Sequence, residues 1–253
     1  MLGILIANLG TPDEPTPEAL RRYLGEFLWD PRVVEGSRPL WWLALNGVVL
    51  RTRPRKSAEA YSKVWTEQGS PLLAISLRQL DALRTALNQR LGAPVEMRLG
   101  MRYGKPSIAQ GLQELLDAGV QRLLVLPLYP QYSATTTASV FDAVAAIFSK
   151  ARDIPALRFV RDYHADNGYI EALAASVREH WQARGQGERL VLSFHGIPKE
   201  YADRGDPYPQ ECHATAARLA AALDLPAERW NVTFQSRFGP REWLQPYTDK
   251  TLE

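Results

Sequence analysis

The stretch IAQGLQELLDAGVQRLLVLPL, residues 108–128, decides the fold class. Its first part, Ile108–Ala118, has the period of an amphipathic helix and stops at Gly119; its second, Arg122–Leu128, is an aliphatic run of strand length. Working outward, strand-like runs recur at Gly3–Leu9, Val95–Met101, Leu157–Arg161, Arg189–Phe194 and Asn231–Gln235. Between them lie helical segments at Leu72–Arg90, which ends at Gly92, and at Val140–Ala151, Tyr169–Ala183 and Ala214–Leu223. Strands alternating with helices specify an α/β protein built on parallel sheets. Ser149–Pro155 is the expected boundary, dividing the chain into α/β halves over residues 1–150 and 151–253. Asn231–Gln235 reads as an internal strand, and a helix beginning at Asp249–Glu253 simply stops. The expectation is a fragment of a longer protein, its second half lacking C-terminal elements.

Composition narrows the partners. With 30 Lys and Arg against 28 Asp and Glu, the formal charge of +2 gives no electrostatic footprint for nucleic acid. The single cysteine, Cys212, forms no internal disulfide and no C-x-x-C pair, which points to a reducing cytoplasm. No signal peptide opens the chain, and the apolar stretch Leu40–Leu50, broken by Asn46 and Gly47, is too short to span a bilayer.

Unusual polar and aromatic clusters fall just after the strands: Asn8, Arg102-Tyr103-Gly104, Tyr129-Pro130-Gln131-Tyr132 with Thr135-Thr136-Thr137, His195-Gly196 and Ser236-Arg237. Open parallel sheets bind ligands at those carboxyl ends. Several ligand classes drop out, because no G-x-G-x-x-G follows the first strand and neither G-x-S-x-G nor H-E-x-x-H occurs. Gly100-Met101-Arg102-Tyr103-Gly104-Lys105 is one residue short of a P-loop and runs into Pro106.

Of the histidines, His180 lies within a helical run, His164 in an Asp-rich turn, and His213 beside Cys212 on a helix, where adjacent side chains diverge by about 100°. His195 differs: it ends an apolar strand and precedes Gly196 and Pro198, so the chain turns and presents the imidazole. A neutral imidazole there can take a proton near pH 7 or ligate a divalent metal. Trp243, Tyr129, Tyr132, Tyr61, Trp41 and Trp42 offer flat apolar surfaces suited to a planar aromatic ligand, and Arg53, Lys56 and Arg102 suit its carboxylates.

Taken in order, Asn8-Leu9-Gly10-Thr11-Pro12, Met101-Arg102-Tyr103, Leu128-Tyr129-Pro130-Gln131-Tyr132-Ser133, Ser193-Phe194-His195-Gly196-Ile197-Pro198, Arg204-Gly205-Asp206-Pro207-Tyr208-Pro209-Gln210, Phe234-Gln235-Ser236-Arg237-Phe238-Gly239-Pro240 and Trp243-Leu244 strongly resemble the ferrochelatases. The resemblance implies two similar Rossmann-like halves of chelatase type with the porphyrin between them, and insertion of ferrous iron into protoporphyrin IX. It assigns His195 as acceptor of pyrrole protons or as iron ligand, Tyr129 and Trp243 as flanks of the macrocycle, and Arg102 to the pocket. A looser match gives Arg53, Lys56, Tyr61 and Ser70 contacts to propionates or the pocket wall. Leu40–Leu50 would form the mouth, where porphyrin enters from a membrane surface, so peripheral membrane association is expected; an ordinary buried helix is the other reading. Ala134 stands where relatives with an iron–sulfur cluster carry cysteine, so no cluster or other cofactor is expected, iron being a substrate. The family's acidic partner of the histidine would lie beyond Glu253. A tetrapyrrole-binding protein without catalysis and a chelatase for another tetrapyrrole are the alternatives; oligomeric state and the choice between protoporphyrin and coproporphyrin are not assigned.

Overall fold

The computed structural model describes residues 1–253, which form two compact units. The first comprises Met1–Tyr129 and Ala134–Arg161, the second Pro130–Ser133 and Asp162–Glu253.

In the first unit, strands β1 (Leu2–Thr11), β2 (Glu96–Gly104), β3 (Arg122–Pro127) and β4 (Ala156–Phe159) form one parallel sheet in the order β2-β1-β3-β4. Central β1 carries apolar side chains on both faces, as a strand covered by helices on each side must. The period of two separates them. Leu5 and Ala7 pack with α5 (Ile108–Asp117) and α6 (Ser139–Phe148), whereas Ile4 and Ile6 pack with Met97, Leu99 and Leu80 of α4 (Pro71–Leu91). Gly10 is required by backbone crowding: at φ +107° an added Cβ would lie 1.7 Å from the carbonyl oxygen of Tyr103 on β2. That close approach locks the carboxyl ends of β1 and β2 together, where the polar residues emerge.

Between β1 and α4 run α1 (Pro17–Trp29), α2 (Arg38–Ala44), a π-helical turn (Leu45–Val49) and α3 (Leu50–Ser62). Thr16 caps α1 through its hydroxyl, which accepts from the Ala19 N–H, and Pro17 opens the first turn. The Leu40–Leu50 stretch is therefore helical, but it is no ordinary buried helix: Leu40, Trp42, Leu43 and Val48 are exposed while Leu45 and Leu50 turn inward.

In the second unit, β5 (Leu190–His195) pairs in parallel with β6 (Trp230–Gln235), in a register that sets His195 opposite Gln235. Helices α7 (Asn167–Arg184) and α9 (Tyr208–Ala222) pack beside them, with α8 (Lys199–Asp203) and α10 (Thr248–Leu252) as short additions. Cys212, Ala216, Val232, Phe234, Ile197 and Leu244 form its core. Pro130–Ser133 is sewn into this unit: the Tyr163 N–H donates to the Pro130 carbonyl, and the Gln131 amide to the Thr215 hydroxyl at 2.9 Å.

The domain boundary differs from expectation. Leu157–Arg161 was expected to open the second half, yet Leu157, Arg158 and Phe159 pair with Leu123, Leu124 and Val125 of β3 as the edge of the first sheet. The division accordingly falls after Arg161 rather than after residue 150, with Pro130–Ser133 as an excursion. A chain-local shift in composition marks loops; the sheet partner decides which unit a strand joins.

Candidate functional site

At the end of β5, the His195 Nδ1 lies 2.7 Å from the carbonyl oxygen of Gly196. A carbonyl only accepts, so Nδ1 carries the hydrogen and, in the neutral ring, Nε2 keeps its lone pair. The imidazole is exposed, whereas Gly196, Ile197 and Pro198 behind it are buried. The turn is held by backbone hydrogen bonds, with the Gly196 N–H donating to Gln235, the Leu244 N–H to Ile197 and the Lys199 N–H to Glu242. Trp243 packs beneath it. A Cβ on Gly196 would stand 3.3 Å from the Trp243 ring, whose Nε1 donates to the Phe238 carbonyl and whose centroid lies 5.0 Å from that of the tilted Phe238 ring. At 6% exposure Trp243 supports the histidine turn rather than offering an open ring face.

The first unit gathers its polar residues around Asp30, the cap that ends α1. Its carboxylate accepts from the Ser139 hydroxyl at 2.5 Å, the Tyr103 hydroxyl at 2.7 Å, Arg102 Nη2 at 2.5 Å and the Arg32 N–H at 2.7 Å. Burial pushes this carboxyl upward, but the hydrogen bonds from Ser139, Tyr103 and Arg32 and the Arg102 charge outweigh it, and the net shift is downward. Arg102 is fixed further by Nε donation to both the Ser139 carbonyl and hydroxyl, and its guanidinium lies 4.6 Å from the Tyr103 ring centroid.

Around this network stand other aromatic hydroxyls. The Tyr129 hydroxyl is buried without a hydrogen-bond partner, and burial, with neighbouring Tyr103, drives its pKa far upward, so it is held as a protonated donor. Tyr61, half-buried on α3, is hydrogen-bonded to Tyr23, and burial raises it too. Arg53 and Lys56 are exposed on α3 at a spacing of three, on one side of the helix. Ser70 is buried as the residue preceding α4, where its carbonyl accepts from the Ala74 N–H. Arg102, Tyr129, Tyr61, Ser70, Arg53 and Lys56 thus belong to the first unit, His195 and Trp243 to the second.

Sequence reasoning missed Asp30 and Ser139, because nothing local distinguishes a buried carboxylate from a solvated one. The only signal was the turn-forming Asp30-Pro31 pair. It also set aside His164, whose Nδ1 stands 2.9 Å from Asp162 Oδ1 and 3.3 Å from Glu211 Oε2. The three ligand-type atoms lie within 4.8 Å of one another, and the Glu211 carboxylate also accepts from the Tyr132 N–H at 2.6 Å. The donor set is of a kind that binds first-row divalent ions, but an imidazole N–H between two carboxylates satisfies it equally.

Comparison with known proteins covers all these positions. The ferrochelatase family model matches residues 1–253. The chain is 58% identical to the ferrochelatase of Thioalkalivibrio sulfidiphilus over 100% of its own length and 69% of the relative's. Against the ferrochelatase of Marinobacter nauticus identity is 56%, over 100% of this chain and 68% of the relative. Against ferrochelatase 1 of Shewanella oneidensis it is 55%, over 99% and 75%. With more than half of its residues shared along its whole length, on an α/β fold that brings its polar clusters to the strand ends, the chain belongs to the ferrochelatase family.

Proposed function

We propose that this chain is a ferrochelatase that inserts ferrous iron into protoporphyrin IX to make protohaem, with His195 receiving a pyrrole proton. The observation that carries the role of His195 is its hydrogen bond to Gly196, which occupies Nδ1 and leaves Nε2 of an exposed ring directed away from that carbonyl. Insertion exchanges two pyrrole N–H protons for one Fe²⁺, so the charge balances without any redox step. Each proton must leave as nitrogen lone pairs turn to the metal; a base pre-oriented at the ring lowers that barrier, and His195, being exposed, can take the protons one at a time and pass each to solvent. Nε2 is also a ligand type for ferrous iron, the same lone pair serving either purpose.

The remaining residues suit the porphyrin itself. Arg53 and Lys56 on α3 meet propionates, Tyr61, Ser70, Tyr129 and Arg102 build the wall, and Trp243 keeps the histidine turn in place. Cys212, the one cysteine of this chain, is buried, which favours a reading in which these residues hold no iron–sulfur cluster, a group that takes several thiolates. No helix is long and apolar enough to cross a membrane. Exposed Leu40, Trp42, Leu43 and Val48 beside Arg51, Arg53, Arg55 and Lys56 combine apolar and cationic groups, which favours peripheral contact with an anionic lipid surface, from which an apolar porphyrin is drawn.

His195→Ala tests the reading. The substitution removes the base from an exposed position, so protoporphyrin affinity should change less than about twofold while iron insertion falls by about 10²–10⁴-fold. Insertion at the unaltered rate, measured anaerobically by the change from free-base to metalloporphyrin spectrum, would remove His195 from the mechanism.

A further inference from the structure

The Asp30–Arg102 pair bears on how a tetrapyrrole is read, given the porphyrin reading above. Asp30 has a side chain only 2% exposed, against 19% for Arg102, and its oxygen lies 2.5 Å from Arg102 Nη2. Ser139 takes the neighbouring Nε on the same edge, through its carbonyl at 2.9 Å and its hydroxyl at 2.7 Å. The guanidinium is thereby clamped along one edge, while Nη1 makes no hydrogen bond within the protein. Its charge is already balanced by a carboxylate. A second carboxylate approaching Nη1 would be attracted by the guanidinium and, from farther off, repelled by Asp30, so the net Coulomb gain is cut well below that of a free cation. Directional N–H donation survives this neutralisation, and so does the affinity of a planar guanidinium for a π face. Lys56 stands otherwise: exposed on α3 with no carboxylate partner, it keeps its full charge for an anion.

We propose that Asp30 is the positioning residue for Arg102, and that the pair serves the tetrapyrrole ring rather than its propionates, which are left to α3. Asp30 supplies both the orientation of the guanidinium and the neutralisation that weakens its pull on the carboxylates. Ser139 completes the clamp. The division separates recognition of the ring, common to many tetrapyrroles, from recognition of the acidic edge, which differs among them.

Protoporphyrin and its dimethyl ester, which keeps the ring but loses both charges, distinguish the roles when titrated in one detergent buffer. Lys56→Ala should weaken the diacid about fivefold and leave the ester within about twofold, the scale of one part-screened charge contact. Arg102→Gln and Asp30→Asn should each weaken diacid and ester alike by about tenfold, the scale of a lost charge-assisted hydrogen bond. In an Arg102→Gln background, Asp30→Asn should add less than about twofold, because a positioning residue acts only through what it positions. Circular dichroism establishes that each variant is folded; if Asp30→Asn is not, Ser139→Ala takes its place in the same cycle. An Arg102→Gln chain that loses the diacid and keeps the ester would overturn the proposal, as would one that binds both unchanged or a cycle whose effects multiply. An unaltered chain that binds neither porphyrin would instead refute the porphyrin reading itself, and this inference with it.

Discussion

Asp30 ties four donors to one carboxylate at the end of α1, and its protonation state is therefore a stability term as well as a feature of the site. Its folded pKa lies below the ordinary 3.8, despite burial, because Ser139, Tyr103, Arg32 and Arg102 all favour the charged form. A depressed carboxyl pKa contributes stability that is complete above the ordinary value and is lost as pH falls through the folded one. Asp30→Asn should cost about 3 kcal/mol near neutrality, the scale of breaking a buried pair, and the gap to the unaltered protein should close below about pH 3.8. Thermal unfolding of both across pH 2.5–7 (roughly the range that brackets this titration) checks it, and a constant gap would assign the loss to packing alone. At this scale the sequence was legible only in part. His195 was evident because an apolar strand, a histidine and a Gly-x-Pro turn are neighbours in the chain. Asp30 and Ser139 meet across more than a hundred residues, and such meetings leave no local pattern.

Elements were more legible, since periodicity and punctuation act within a dozen residues. The helix over 108–118 and the strand over 122–128 correspond to α5 and β3. The helices α1 and α3 were not read as such: α1 carries a legible stripe in Leu20, Tyr23, Leu24, Phe27 and Leu28, whereas the mostly polar, arginine-rich run of α3 buries only Leu50, Pro54 and Ala58. β4 was read as a strand but assigned to the wrong half, its partner being set by sheet pairing rather than by its own residues. Glycine offers the test at this scale. Gly92 ends α4 at φ +63° with open space around it, so Gly92→Ala should cost about 1–2 kcal/mol, the left-handed backbone penalty alone. Gly10→Ala adds a collision with the Tyr103 carbonyl to a positive φ and should cost clearly more, or prevent folding. Urea midpoints compare the two; equal losses would show that the β1–β2 junction yields where the structure has it closed.

On the scale of the whole molecule, each unit has its own core, and the residues proposed for the porphyrin are shared between them. Family membership was legible because motifs recur in order from Asn8 to Leu244, whereas the division after Arg161 was not, since it depends on which sheet takes the last strand. The central claim is that this chain is built to hold a tetrapyrrole. The most direct measurement is a titration of the folded chain with protoporphyrin IX, followed by the Soret band and by quenching of its tryptophans. Saturable one-to-one binding, with a shifted Soret maximum and quenching that reaches a plateau at equivalence, is the expected result. A chain that is folded by circular dichroism yet shows neither a shift nor a plateau would contradict it.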